Sequence, residues 1–156
     1  MEVKIKKLHK DAIIPTKATL GSAAYDVYLP RDFRVTKGRQ VLPLDFAIEL
    51  PLGYEAKIEP RSGFSLKGFE GEYIEDETCE KFIKRYDADV IVGKIDSDYR
   101  GNVGVIVKSN ESFLAKKGTR IAQLTIYKVE DADFKVAEDL SETDRSDGGF
   151  GHTGTK

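Results

Sequence analysis

The run from Gly93 to Gly101, GKIDSDYRG, is the densest group of chemically capable residues in the chain. It places two acids, a tyrosine and an arginine between Asp96 and Arg100 and ends on glycine. Such a run could be a calcium loop, an ordinary acidic turn or one part of a catalytic site. An EF-hand loop starting at Asp96 needs an oxygen ligand at its fifth position and a glutamate at its twelfth. Arg100 and Val107 occupy those positions, so the calcium interpretation fails.

Two further segments carry groups that suit a phosphate chain. The sequence PRSG follows a predicted strand, and there Arg61, Ser62 and Gly63 offer a guanidinium, a hydroxyl and backbone N–H groups. Taken alone, this segment is equally typical of a strand-ending turn. Gln123 lies on the opposite strand face from Ala122, where a polar residue is usually solvated. These residues indicate a binding site only when they are considered together with the other segments.

An acid near the N-terminus and a glycine-rich C-terminus complete the set. Asp26 lies in a short predicted strand, where a lone carboxylate is more often structural than bound to a metal. The stretch from Arg145 to Gly154 is rich in glycine, which is typical of a disordered tail. The same composition also suits an arm that folds over a ligand, with Phe150 stacking on a base and Arg145 meeting a phosphate.

The elements that must hold these residues are predicted to be strands. Apolar and polar residues alternate with period two, as in half-buried strands, over residues 25–29, 42–50, 54–58, 103–107 and 120–129. The alternation from Leu42 to Leu50 is unbroken and predicts one continuous strand. Turn signals such as Lys37-Gly38 and Lys117-Gly118 lie between these segments. Many short strands with such punctuation indicate an all-β sandwich, barrel or jelly roll.

One segment departs from this pattern. Over residues 75–86 the apolar side chains recur at helical spacing, at Cys79, Phe82, Ile83 and Tyr86. Pairs of opposite charge four residues apart add support, so the spacing predicts a short amphipathic helix. We expect the apolar face of this helix to pack on its own sheet or, less simply, to bind a protein partner.

Composition limits the remaining possibilities. The chain of 156 residues fits one domain with a substantial core. With 25 Lys plus Arg against 27 Asp plus Glu, the formal charge is −2, so no strong field favours nucleic acid or a membrane surface. The single cysteine and the lack of a signal-like or membrane-spanning segment indicate a reducing, cytoplasmic location.

Five segments in this order resemble the motif set of the trimeric deoxyuridine triphosphatases, the dUTPases. They are residues 24–26, 60–63, 93–101, 118–123 and 145–154. The resemblance implies a β jelly roll that assembles as a homotrimer, with each active site built from several subunits. It implies a β domain over residues 1–140 and a flexible arm over residues 141–156 that closes over the site.

The resemblance also implies a reaction. A dUTPase hydrolyses dUTP to dUMP and pyrophosphate, which limits uracil incorporation into DNA and supplies dUMP for thymidylate synthesis. Asp96 is then the general base that deprotonates a water attacking the α-phosphorus. Mg²⁺ is the expected cofactor and bridges the phosphate oxygens, with Asp26 reaching it through water.

The substrate-binding roles follow from the same resemblance. Side chains and backbone groups expected to hold the phosphates are those of Arg61, Ser62, Gly63, Gln123 and Arg145. Tyr99 is expected to pack under the deoxyribose. Uracil is expected to stack on the arm at Phe150 and Gly151, and to be read by a hairpin over about residues 90–95 through Val90, Gly93, Lys94 and Ile95.

Two alternatives remain open. A deoxycytidine triphosphate deaminase of the same fold would share most of these segments but has no use for the Phe150 arm. Relative to the dUTPase family the chain is longer between Lys67 and Asp89, which marks residues 69–86 as an insert. An interaction protein could keep the nucleotide fold and act through this insert.

Overall fold

The computed structural model describes residues 1–74 and 81–147. Within these residues the chain forms thirteen strands and one short helix. In chain order they are β1 (Lys4–Lys7), β2 (Tyr25–Tyr28), β3 (Phe33–Val35), β4 (Gly38–Pro43), β5 (Phe46–Glu49), β6 (Tyr54–Glu59), α1 (Ser62–Lys67), β7 (Phe69–Ile74), β8 (Lys81–Tyr86), β9 (Ala88–Ile91), β10 (Gly93–Ile95), β11 (Gly104–Ser109), β12 (Phe113–Ala115) and β13 (Arg120–Lys128). The all-β prediction is confirmed.

The strands form four antiparallel sheets around one apolar core. Their orders are β1-β5, β10-β6-β13-β2, β4-β11-β9 and β3-β12-β7-β8. Many of the most completely buried side chains come from the segments with period-two alternation, among them Val27, Leu29, Phe46, Ile58, Val105 and Val107. Alternate residues of a strand face the same side, so each of these segments turns one row inward.

The strand predicted over residues 42–50 is broken in the middle. β4 ends at Pro43 and β5 begins at Phe46, with Asp45 between them at a φ of 60°. Leu44 and Phe46 are nevertheless fully buried. The break arises because β4 pairs with β11 whereas β5 pairs with β1, so the chain changes partner at the bend. The buried positions were predicted correctly, whereas the prediction of one continuous strand was wrong.

The helix predicted over residues 75–86 is wrong for the part that the structure describes. Residues 81–86 form β8, which pairs antiparallel with β7 from the partners Phe69 and Tyr86 onward. Residues 75–80 lie outside the described residues. Charge pairs along a helix contribute only about 0.2–0.5 kcal/mol each. A six-residue ladder and the burial of Tyr86 outweigh them.

The single apolar face predicted for the insert does not form in these strands. Neighbours along a strand point to opposite sides, so Phe82 and Ile83 face apart, and both are exposed. Tyr86 instead packs into the core, where its ring stacks on Phe113 with centroids 4.4 Å apart. Cys79 lies outside the described residues. A protein partner at residues 69–86 stays a prediction.

A short helix that the alternation did not predict follows β6. It buries Phe64, whose ring meets Phe69 edge-on at a centroid distance of 5.2 Å. It ends at Gly68, which has a φ of 73° and donates its N–H to the carbonyl of Phe64. The Lys67-Gly68 pair was the available signal, because helices commonly end on glycine with a cation in the last turn. No helix among the described residues is long and apolar enough to cross a membrane.

The hairpin predicted over residues 90–95 is also absent from this structure. β9 pairs with β11 and β10 pairs with β6, so the chain passes from one sheet to another at the exposed Val92. Within the described residues β9 and β10 are both edge strands. Their outer edges therefore offer backbone N–H and C=O groups to a ligand without a hairpin.

Candidate active site

A first cavity of about 430 Å³ brings together residues from three of the predicted segments. Gln123 on β13 lies between two neighbouring strands, opposite Asp26 of β2 on one side and Glu59 of β6 on the other. Arg61, Ser62 and Gly63 follow β6 directly and line the same cavity. Segments almost a hundred residues apart in the chain thus converge because β2, β13 and β6 are adjacent in one sheet.

The arginines of this cavity are held by one carboxylate. Arg61 Nε lies 2.9 Å from Asp26 Oδ1, and Arg120 Nη1 lies 3.4 Å from Asp26 Oδ2. Arg61 Nη1 also donates to the carbonyl of Arg120 at 3.3 Å. The Asp26 side chain is largely buried, so these charge-assisted contacts fix the guanidinium groups before any ligand binds.

A second carboxylate in the cavity was not predicted from the sequence. Glu59 accepts hydrogen bonds from Thr125 Oγ1 at 2.7 Å and from the Tyr127 hydroxyl at 3.2 Å. Arg120 was likewise not among the predicted site residues. Its position three residues before Gln123 was the available signal, whereas Glu59 could be placed only by its register with Gln123.

The residues present fit a metal that arrives with a phosphate chain. Among the described residues no cluster of three or more His, Cys, Asp or Glu side chains could hold a metal ion. Asp26, which was predicted to reach the metal through water, already contacts two arginines. Mg²⁺ retains several waters and is often held by one or two carboxylates plus substrate phosphates. This donor set therefore suits an ion bound mainly by substrate oxygens.

The predicted base lies in a second cavity, of about 570 Å³. Asp96 and Ser97 line it together with Lys94 and Glu55. Lys94 Nζ lies 2.5 Å from Glu55 Oε2, and Lys57 Nζ lies 3.3 Å from the other oxygen. The hydrogen bond from Lys94 holds the pKa of Glu55 below its ordinary value, and the same bond raises the pKa of Lys94.

The turn that carries Asp96 is closed by hydrogen bonds to its own backbone. The N–H of Tyr99 donates to the Asp96 carbonyl at 3.1 Å, and Arg100 Nη1 donates to the Ser97 carbonyl at 2.6 Å. The ring of Tyr99 folds back over Gly101, where a Cβ would lie 2.3 Å from the tyrosine oxygen. A side chain at residue 101 would therefore displace the Tyr99 ring from this position. Asp96 itself remains exposed.

The two cavities share no lining residue. Glu55 lines the second and Glu59 the first, and four residues of strand span about 13 Å. On the surface of one chain, the cavity lined by Asp96 is therefore separate from the cavity lined by Arg61.

The C-terminal segment leaves the sheets after β13. Along it, Phe134, Val136 and Leu140 are almost fully exposed. Arg145 lies in a turn closed by a hydrogen bond from the Ser146 N–H to the Thr143 carbonyl. Phe150 and Gly151 lie outside the described residues, so their predicted stacking role stays a prediction.

Comparison with known proteins supports the resemblance. The family model described as dUTPase matches residues 10–79 and 83–154. The chain is 42% identical over 154 residues to the deoxyuridine 5'-triphosphate nucleotidohydrolase of Arabidopsis thaliana, covering 97% of this chain and 82% of the relative. It is 39% identical over 160 residues to the protein of the same name from Hydrogenobaculum sp., covering both completely.

Solved structures agree on the fold. A variant of the dUTPase of Staphylococcus bacteriophage 80alpha, determined with dUpNHpp, superimposes with a TM-score of 0.80. That match covers 98% of each chain at 23% identity, so it supports the fold alone. The predicted dUTPase-like architecture is confirmed. The family model and the full-length relatives together show that the chain belongs to the dUTPase family.

Proposed function

We propose that the protein hydrolyses dUTP to dUMP and pyrophosphate. The observation that carries the proposal is the convergence of Asp26, Arg61 and Gln123 in one cavity of a chain that belongs to the dUTPase family. Its guanidinium, amide, hydroxyl and backbone N–H groups are those that bind phosphate oxygens. The reaction removes dUTP, which limits uracil in DNA, and yields dUMP for thymidylate synthesis.

In this mechanism the carboxylate of Asp96 accepts a proton from a water that attacks the α-phosphorus. The bond from the α-phosphorus to the bridging oxygen breaks, and pyrophosphate leaves. Arg61, Ser62 and Gln123 bind the charged oxygens and orient the chain for in-line attack. Mg²⁺, when bound by the phosphate oxygens, neutralises their charge.

The proposal includes a homotrimer whose active sites lie between subunits. Two observations support it. The proposed base and the proposed phosphate-binding groups line separate cavities of one chain, which suits a site completed by a second copy. The exposed apolar residues Phe134, Val136 and Leu140 also suit a segment that packs on another copy.

The remaining contacts are proposed on the same basis. The open edge of β10, with Gly93, Lys94 and Ile95, and the neighbouring Val90 would read uracil through backbone groups. Tyr99 would pack under the deoxyribose. The C-terminal arm would close over the nucleotide, with Arg145 on the terminal phosphate and Phe150 stacked on the base beside Gly151. Closure would exclude water from the site.

Substrate choice tests the activity directly. Pyrophosphate release is measured for dUTP and the four common dNTPs, with Mg²⁺ or with excess EDTA, and ammonia release is measured for dCTP. We expect pyrophosphate from dUTP alone and a large loss in EDTA. Ammonia from dCTP would instead support the deaminase alternative, and no turnover of either nucleotide would contradict both enzymes.

Complementation tests the shared site. Asp96→Asn and Arg61→Ala chains are each assayed alone, then unfolded together, refolded as mixed trimers and assayed again. If the two residues come from different chains, random mixing leaves about one quarter of the sites intact. Mixed trimers should then recover activity that neither parent has. Recovery should be absent if one chain supplies both residues.

A further inference from the structure

The bend between β4 and β5 packs against the residues that follow the Asp96 turn and hydrogen-bonds to their backbone. The N–H of Leu44 donates to the Val103 carbonyl at 2.8 Å, and the N–H of Val103 donates to the Phe46 carbonyl at 2.8 Å. All three side chains are buried. The residues on both sides of Asp45 therefore hydrogen-bond to the chain that leaves the turn, at Val103.

Asp45 adds a paired contact to Asn102 at the centre of this bend. The backbone N–H of Asp45 donates to Asn102 Oδ1 at 3.0 Å, and Asn102 Nδ2 donates to Asp45 Oδ1 at 3.3 Å. The other carboxylate oxygen contacts Arg31 Nη1. Asp45 is only 6% exposed, so its carboxylate depends on these partners for the hydrogen bonds that water would otherwise supply.

The same asparagine connects to the turn. Its backbone carbonyl accepts a hydrogen bond from the Tyr99 hydroxyl at 3.2 Å. The N–H of Tyr99 in turn donates to the carbonyl of Asp96 at 3.1 Å. An unbroken series of contacts thus runs from the buried carboxylate of Asp45 through Asn102 and Tyr99 to Asp96.

We propose that Asp45 and Asn102 are positioning residues that hold the Asp96 turn in its catalytic geometry. The inference rests on the proposed function, in which Asp96 is the general base. A general base must stay within hydrogen-bond reach of the water that it deprotonates. Neither Asp45 nor Asn102 lines the two cavities described above, so their effect is exerted through the turn.

The test exchanges donor and acceptor across this pair. Asn102→Asp keeps the size and the acceptor for the Asp45 N–H but sets a carboxylate against a carboxylate. Because a displacement of about 1 Å can cost roughly 100-fold in rate, we expect kcat for dUTP to fall about 10- to 100-fold while KM changes little. Adding Asp45→Asn restores one donor and one acceptor, and asparagine tolerates the left-handed φ at this position.

The double variant should therefore recover most of the lost kcat, with active protein counted by titration with dUpNHpp. A structural role alone would reduce the amount of active protein and leave kcat per active site unchanged. An unchanged kcat in Asn102→Asp, or no recovery in the double variant, would overturn the inference. If Asn102→Asp does not fold, Asn102→Ala removes the side-chain donor to Asp45 without adding charge, and an unchanged kcat there is equally decisive.

A matched control lies at the other end of β11. Asn110 Nδ2 donates to Asp87 Oδ2 at 2.5 Å, a pair of the same kind that does not contact the Asp96 turn. Asn110→Asp should leave kcat unchanged. Asp96→Asn tests the base on which this inference rests: if it keeps full turnover, the assignment of Asp96 as the base fails and the positioning role fails with it, whereas failure of the proposed function would appear as no dUTP turnover by the unsubstituted chain. If it abolishes turnover while Asn102→Asp is fully active, only the positioning role fails.

Discussion

The phosphate cavity and the Asp96 turn are built in opposite ways. In the cavity, side chains from three adjacent strands converge, and Asp26 holds Arg61 beside Gln123 before a ligand arrives. In the turn, hydrogen bonds to backbone carbonyls shape the loop, and Asp96 stays exposed at its edge. The first region is a set of side chains organised within one chain. The second is a turn that leaves one carboxylate exposed.

This difference indicates how the two regions divide the work. In the proposed function, a highly charged phosphate chain requires fixed cations, and the contact with Asp26 would reduce the entropy lost when Arg61 engages the phosphates. Water activation requires one carboxylate at the correct point, which a rigid turn can deliver to a neighbouring subunit. The comparison predicts a graded series of mutational effects.

The largest effect should come from the turn. Asp96→Asn removes the proton acceptor, and loss of a general base typically costs about 10²- to 10⁴-fold in rate. We expect kcat for dUTP to fall in that range while binding of dUpNHpp, measured by calorimetry, is retained. Asp98→Asn is the matched control in the same turn and should stay near the wild-type rate. Equal losses in both variants would remove the distinction between the two acids.

Deletion of residues 145–156 should have the next largest effect on kcat. It removes Arg145 and Phe150 from the proposed closed site, and loss of one group that stabilises the transition state costs on the order of 100-fold in kcat. The residues of this segment that the structure describes are exposed, so the melting temperature should change little. Steady-state kinetics and thermal melts on the same preparations check this. Full activity without the segment would show that the two cavities suffice.

Asp26 should have a smaller effect, transmitted through the arginine. Asp26→Asn loosens Arg61, and the loss of one charge-assisted hydrogen bond corresponds to about tenfold or more in kcat/KM. The double variant with Arg61→Ala should be no worse than Arg61→Ala alone, because both changes disturb the same contact.

A magnesium titration distinguishes the two roles considered for Asp26. An arginine anchor predicts that Asp26→Asn leaves the Mg²⁺ concentration for half-maximal rate unchanged. A water-mediated metal contact predicts that this concentration rises. The second result would show that Asp26 serves the metal in spite of its contacts with Arg61 and Arg120.

The smallest effect should be on the stability of the folded protein at acidic pH, to which Glu55 in the second cavity contributes. The pKa of Glu55 is lowered in the folded protein, so its contribution is present above its ordinary value of 4.5 and lost as the pH falls through the folded value. Lys94 has a raised pKa, so its contribution is lost only as the pH rises above 10.5. Melting temperatures from about pH 6 to about pH 3 should fall less steeply in Glu55→Gln than in the wild type. Glu130→Gln, at a highly exposed position, is the control.

Local pattern predicted most of what faces the core. The alternation of Ala122, Gln123 and Leu124 correctly predicted that the first and third residues are buried. It also placed Gln123 on the other face of the strand, where the cavity lies. The pattern failed where pairing partners decide the structure. Residues 81–86 have helical spacing but form β8 because β7 lies beside them, and the unbroken alternation of residues 42–50 concealed the bend at Asp45.

Side-chain period and residue type are local properties, so the strand-rich class, many of the inward-facing residues and the five segments that mark the family could be predicted from the sequence. Which of these segments meet depends on the folded chain. It placed Asp26 against Arg61 and Arg120, put Asp96 in another cavity and set the buried Asp45 against Asn102. Sheet order and a change of partner strand arise from contacts between distant residues, which no single segment encodes.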